Sequence, residues 1–153
     1  MDPLLPIRRS LPHWHPPWVR ENAIYFITVC CEVRRANQLC HPEIAATIFE
    51  SIAFRQNRRD GFVHLALLMP DHLHALVTFP GDREMCQVIE VWKGLVAKRA
   101  EISWQRGFFE HRIRSREEVE AKAFYIRRNP IRAGLADDTT AWPYVWEAEH
   151  RSR

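Results

Sequence analysis

The stretch from Phe62 to Phe79 constrains this chain most. It is apolar along nearly its whole length and is interrupted once, at Pro70-Asp71. Phe62 to Met69 has the length and content of a strand, and His72 to Phe79 matches it. Pro-Asp suits a tight turn, because proline presets φ and aspartate can bond its own backbone. The two runs therefore read as a β-hairpin. Side chains in a strand alternate faces with period two. His72 and His74 thus point one way, while Leu73, Ala75 and Val77 point the other. Two imidazoles on one strand face can serve one metal ion or one phosphate, or can simply be hydrogen-bonded surface groups.

The rest of the chain organises around that hairpin. Ala23 to Cys31 is β-branched and aromatic and reads as a first strand. His41-Pro42-Glu43 opens a helix with proline in its first turn. Ile44, Ile48 and Ile52, with Ala45 and Phe49, form its apolar stripe. Arg58-Arg59-Asp60-Gly61 stops it. After the hairpin, Pro80-Gly81-Asp82 breaks the chain. Met85, Val88, Ile89, Trp92, Val96 and Arg99 follow helical spacing, with Gly94 marking either a close approach or nothing. Phe108 to Arg114 reads as a fourth strand. Ser115-Arg116-Glu117-Glu118 is a capping-box pattern that opens a third long helix. The order β-α-β-β-α-β-α predicts an α+β fold: a ferredoxin-like βαββαβ antiparallel sheet with an added C-terminal helix. Residues 1–22 read as an irregular arm, 23–135 as the domain, and 136–153 as a loop-like tail anchored by Trp142-Pro143-Tyr144 and Trp146.

The third long helix has two faces. Val119, Ala123 and Ile126 form a core stripe. Glu118, Lys122, Tyr125 and Asn129 lie along a polar line. Pro130 disfavours helical geometry at the residue before it, which predicts that the helix ends near Asn129. Tyr125 on a polar face is either an amphipathic rim residue or a group able to bond or attack a phosphate. A phenol with an ordinary pKa near ~10 needs help from a cation or a metal to attack at neutral pH. Asn129 either caps a short following turn or offers a hard carbonyl ligand suited to Mg²⁺ or Mn²⁺.

Composition sets outer limits. The chain has 153 residues, 46% hydrophobic and 27% charged, with a net charge of +3, which suits one globular domain. Of its 22 basic residues three are Lys, at 93, 98 and 122, and the other nineteen are Arg. Arginine presents a planar fork that matches phosphate. Cys30, Cys31, Cys40 and Cys86 form no CxxC pair or zinc-finger spacing, and Cys30 and Cys31 read as buried, reduced residues. No basic-then-apolar leader and no apolar run of ~18 residues is present, so the expectation is a cytoplasmic protein with no membrane partner.

Several blocks together resemble one family. Leu68-Met69-Pro70-Asp71-His72-Leu73-His74-Ala75-Leu76-Val77 resembles the His-hydrophobic-His (HUH) motif of the single-tyrosine transposases. Phe124-Tyr125-Ile126-Arg127-Arg128-Asn129-Pro130-Ile131-Arg132-Ala133-Gly134-Leu135 is similar to their tyrosine segment. Trp104 to His111, Ile113-Arg114, Leu11-Pro12-His13-Trp14 and Tyr25-Phe26-Ile27-Thr28 add further matching blocks in the right order. The pattern points to the REP-associated tyrosine transposases and covers roughly residues 8 to 146. The chain departs from it at Asp71, where the family commonly has Asn at a turn position outside the ligand pair. A second departure is Trp142-Pro143-Tyr144-Val145-Trp146, which lacks the paired serines many relatives carry.

The resemblance implies a metal-dependent single-stranded DNA endonuclease and strand transferase. His72 and His74, with Asn129 as a possible third ligand, would bind one divalent metal, Mg²⁺ or Mn²⁺. Tyr125 would attack phosphorus and leave a 5′-phosphotyrosine and a free 3′-OH. Arg106, Arg112, Arg114, Arg127, Arg128 and Arg132 are candidates for positioning phosphates. In the arm, His13, Trp14 and Trp18 either stack on unpaired bases or pack on the core. The implied partner is single-stranded or hairpin DNA, and a monomer is favoured over a homodimer that trades helices. Two other readings use the same residues. One is a non-catalytic nucleic-acid-binding module on a ferredoxin-like sheet, although Asp60-Gly61-Phe62-Val63-His64-Leu65 matches RNA-recognition signatures poorly. The other is a hydrolase that uses the histidines without a tyrosine intermediate.

Overall fold

The computed structural model describes residues 16–148. Its elements are α1 (Pro17–Arg20), β1 (Ile24–Cys30), α2 (Pro42–Asn57), β2 (Phe62–Met69), β3 (His72–Thr78), α3 (Met85–Ala100), β4 (Phe109–Arg112), α4 (Arg116–Arg132) and β5 (Val145–Glu147). The strands form one sheet in the order β4-β1-β3-β2-β5, every neighbouring pair antiparallel. The first four follow the ferredoxin-like order expected from the sequence, and β3 lies at the centre.

The hairpin forms as read: Met69 pairs with His72 across the Pro70-Asp71 turn. Its strands are apolar on both sides because helices cover both sheet faces. On one face, Leu73, Ala75 and Val77 of β3 join Ala45, Ile48 and Ile52 of α2 and Ile89, Trp92 and Val96 of α3 in one core. The Trp92 indole N–H donates to Ser51 Oγ at 2.9 Å, tying the two helices together. On the other face, Leu76 of β3 and Leu65, Leu67 and Met69 of β2 pack with Ala123 and Ile126 of α4, and Val119 lies against them. The predicted stripe of α4 therefore faces the sheet, and it does so on the same side as His72 and His74.

Three readings of the sequence need correction. The helix bearing Tyr125 does not end at Asn129 but runs through Pro130 to Arg132. Proline removes one N–H from the ladder, yet Pro130 is itself buried, and the last turn closes in a Schellman motif. There Gly134, at φ 74°, donates to the Ile131 carbonyl, and Leu135 donates to the Pro130 carbonyl at 2.8 Å. The segment after Gly134 is not all loop: Val145–Glu147 pairs with the open edge of β2. Strand pairing satisfies an edge that would otherwise expose its polar backbone. Likewise the arm contains a one-turn helix, α1, whose Val19 is buried against Phe62 and Ala148.

Smaller differences follow. The fourth strand is shorter than read, and Cys30 is only half-buried, whereas Cys31 is fully buried. A Cβ at Gly94 would meet nothing within 4 Å, so that glycine marks no close approach.

Candidate active site

The capping pattern at Ser115 sets where α4 begins. Ser115 Oγ accepts the Glu118 backbone N–H at 3.1 Å. Glu118 reaches back to accept the Arg114 N–H at 3.0 Å and the imidazole N–H of His111 on β4. Those contacts hold the Glu118 carboxyl below its ordinary range, the His111 bond contributing most. With its start pinned to β4 and its stripe on the sheet, α4 carries its polar line across the histidine face.

β3 presents both histidines there. Their ring centroids are 4.7 Å apart at 77°. His74 Nδ1 pairs with the Thr28 hydroxyl of β1 at 2.9 Å, a contact made possible because Thr28 is its cross-strand partner. His72 Nδ1 donates to Asp71 Oδ1 at 2.7 Å. A carboxylate can only accept, so His72 Nδ1 carries a proton and Nε2 is the ring nitrogen left to face a ligand. His74 is 6% exposed, and burial, helped by the neighbouring His72, lowers its pKa to about 3. Near neutral pH the ring is therefore uncharged.

Asp71 links the pair to the loop after β1. Its Oδ2 accepts the Arg35 backbone N–H at 2.8 Å, and Arg34 Nε lies 3.5 Å away. Arg35 adopts φ 64°, a left-handed conformation uncommon for a side-chain-bearing residue, which directs that N–H at the carboxylate. Burial pushes the Asp71 pKa up, but the Arg35 N–H, the His72 hydrogen bond and the Arg34 charge together outweigh it and hold the group ionised.

Tyr125 stands over this arrangement. Its ring meets His74 edge-on at 5.9 Å and Phe26 of β1 at 6.1 Å. Phe26 stacks on His74 at 5.3 Å and 22°. Tyr125 is 38% exposed, so its hydroxyl can meet a ligand from solvent. The Arg132 guanidinium lies 5.0 Å over the same ring. Asn129 follows one turn beyond Tyr125, half-buried. Among the described residues its side-chain amide makes no hydrogen bond, which leaves it open to a ligand.

These donors fit a divalent cation. Each histidine has its Nδ1 engaged by an oxygen, an arrangement that holds ring orientation in metal-binding histidines. No group of three His, Cys, Asp or Glu side chains able to hold a metal occurs among the described residues. Among the described residues, the Asn129 amide is the candidate for a third protein ligand.

The basic residues are less uniform. Arg106, Arg112 and Arg114 are exposed along the loop and edge leading to α4. Lys93 is buried and donates to the carbonyls of Gln105 and Gly107 at 2.9 and 2.8 Å, so the turn bearing Arg106 is held firmly. Arg127 instead pairs with Glu147 of β5 at 2.8 Å. Arg128 lies over the Phe124 ring. His13 and Trp14 fall outside the described residues. Sequence reasoning missed Thr28, Phe26 and the role of Asp71. Period two puts Phe26 and Thr28 on one face, but only the register of β1 against β3 brings them to His74.

No protein-family profile matches the chain. A REP-associated tyrosine transposase of Escherichia coli K12 is 27% identical over 81 residues, 51% of this chain and 49% of that protein. A Haemophilus influenzae protein is 26% identical over 94 residues, 50% of this chain and 53% of that protein. The chain thus spans about half the length of the curated relatives it matches. Among solved structures, a REP-associated tyrosine transposase bound to a REP hairpin superposes with a TM-score of 0.72 at 23% identity, covering 86% of this chain and 81% of the other. No helix among the described residues is long and apolar enough to cross a membrane. In sequence and in fold, the chain is similar to the REP-associated tyrosine transposases.

Proposed function

We propose that this protein cuts and rejoins single-stranded DNA beside REP-like hairpins through a 5′-phosphotyrosine intermediate. One observation carries the reading: α4 sets the Tyr125 ring against His74, half of a histidine pair oriented by Thr28 and Asp71. A nucleophile and a ligand pair of the expected types thus meet on one sheet face. His72 and His74, with the Asn129 amide, would hold Mg²⁺ or Mn²⁺, which when bound supplies Lewis-acid stabilisation of charge on the phosphate.

The residues then divide the work. The Tyr125 hydroxyl oxygen forms a bond to phosphorus, its proton passing to solvent. The bond from phosphorus to the 3′ oxygen breaks, releasing a 3′-OH. A later attack by another 3′-OH on the phosphotyrosine restores a phosphodiester and frees Tyr125. The bond energy is retained throughout, so no nucleotide cofactor is needed. Arg132, seated over the Tyr125 ring, and the exposed Arg106, Arg112 and Arg114 supply phosphate contacts that position the strand. Arg127, paired with Glu147, and Arg128, over the Phe124 ring, turn to other sides of the helix. The reading favours a monomer, in which Tyr125 works with the histidines of its own chain, over a helix-trading dimer.

The test is covalent capture. The purified protein is mixed with Mn²⁺ and a hairpin oligonucleotide taken from an inverted repeat of the same genome, carrying a single-stranded flank. A labelled adduct stable on a denaturing gel is expected. Tyr125→Phe should lose the adduct and cleavage while still binding the hairpin. Cleavage that survives in Tyr125→Phe would point to a hydrolase instead. Binding without any adduct from the unaltered, metal-loaded protein would leave a hairpin-binding module.

A further inference from the structure

Lys122 is the one residue of the α4 polar line, apart from the Glu118 cap, with no part in the reading above. It lies three residues before Tyr125 and so shares its side of the helix. Its ammonium sits 5.2 Å from the centroid of the Phe26 ring. That ring also stacks on His74 and meets Tyr125 edge-on. Phe26 is therefore a common floor for the nucleophile, one histidine and a cation. Among the described residues, the Lys122 ammonium makes no hydrogen bond and no ion pair within 4 Å, although Glu118 one turn earlier feels its charge. An aromatic face attracts a cation but accepts none of its three N–H donors in full. Glu118, the acid one turn earlier, is already occupied by His111 and the Arg114 N–H. Lys93, by contrast, spends its donors on two backbone carbonyls, and Arg127 spends its charge on Glu147. Lys122 is thus a half-buried cation with free donors, held beside the candidate nucleophile.

We infer that Lys122 is a catalytic group that donates a hydrogen bond to a non-bridging oxygen of the scissile phosphate. The inference rests on Tyr125 acting as the nucleophile. As the tyrosine oxygen bonds to phosphorus, negative charge grows on the non-bridging oxygens. A donor already parked at that place lowers the barrier without reorganising. A lysine suits the task as a compact point charge on a flexible stem. Lys122 keeps its proton throughout: the phenol proton goes to solvent, and the departing 3′ oxygen takes one from water. Arg132 approaches the ring from the opposite end of the helix, so Tyr125 lies between two cations with different duties.

Single-turnover cleavage of the hairpin oligonucleotide tests this, using the full chain with Lys122→Met, Lys122→Gln and Lys122→Arg. Removing one preorganised donor of this kind costs about 10²–10³ in rate. Met and Gln should show that loss with hairpin affinity and melting temperature little changed, and Arg should restore most of the rate. The decisive probe is the same oligonucleotide with a neutral methylphosphonate at the mapped cut. In the diastereomer whose methyl replaces the oxygen facing Lys122, Lys122→Met should cleave as fast as the unaltered protein, because the acceptor that Lys122 answers is gone. Equal rates on the natural phosphate would overturn the inference. So would an equal loss on both substrates, which marks a structural role, or a loss of affinity as large as the loss of rate. If the unaltered protein forms no adduct at all, the strand-transfer reading falls and Lys122 falls with it. If the adduct forms and Lys122→Met matches it, only the lysine is at fault.

Discussion

Replacing Thr28 by valine tests whether the histidine pair is organised for ligation. The two side chains are nearly the same size, so the change removes a hydroxyl and little else. That hydroxyl is the hydrogen-bond partner of His74 Nδ1, at 2.9 Å, and His74 is 6% exposed. Valine would strand a buried ring nitrogen, at a cost of about 1–3 kcal/mol. The same contact holds the rotation of the ring, and losing such an outer partner lowers metal affinity by about 10–100-fold. At about 1.4 kcal/mol per decade, that is roughly 1.4–2.8 kcal/mol. The two figures agree because they describe one hydrogen bond, read once in folding and once in binding. Calorimetric titration with Mn²⁺ gives the affinity, and urea unfolding gives the stability. Thr28→Ser keeps the hydroxyl and should stay near the unaltered protein in both. Valine with unaltered Mn²⁺ affinity would refute the reasoning. Equal losses in the valine and serine variants would also refute it, since volume rather than the hydroxyl would then matter.

Other expectations follow from the packing and the charges. Ile126→Ala opens a cavity where α4 meets the sheet, at a residue with 0% exposure, and should cost about 2–5 kcal/mol by chemical denaturation. Lys93→Met strips the Gln105 and Gly107 carbonyls of their charged donor. It should destabilise by about 1.5–3 kcal/mol and raise hydrogen exchange in residues 104–108. Glu118 has its pKa depressed by the His111 contact and the Arg114 N–H. Its contribution to stability is full above the ordinary value of 4.5 and is lost as pH falls through the lower folded value. Glu118→Gln should therefore flatten the acid limb of a stability-against-pH curve below about that point and leave its neutral region little changed in slope.

Much of the architecture is legible in the chain because the relevant signals are short-range. Two apolar runs of strand length joined at Pro70-Asp71 yield the hairpin, and period two sets His72 and His74 on one face. Helical period assigns Val119, Ala123 and Ile126 to the core side of their helix. The serine cap at Ser115 marks its start to the residue. Pro130 misled because its local penalty is real, but burial and the closing turn at Gly134 outweigh it. The strand after Gly134 escapes a sequence reading for a related reason. Val145–Glu147 has too little pattern to announce a strand, and only the unpaired edge of β2 makes it one.

By itself, then, the sequence determined the order of elements, the common face of the histidine pair and the polar face of the tyrosine helix. Each depends on residues only a few positions apart. The tertiary structure alone decided which sheet face that helix covers, and hence that Tyr125 meets His74 and not the opposite core. It also decided that Thr28 and Asp71 steady the two rings, that the Phe26 ring meets His74, Tyr125 and Lys122 together, and that Arg127 is tied to Glu147. Those relations join segments that are distant in the chain. They arise from strand register, helix rotation and the competition of buried polar groups for partners, none of which leaves a periodic trace in the amino-acid order.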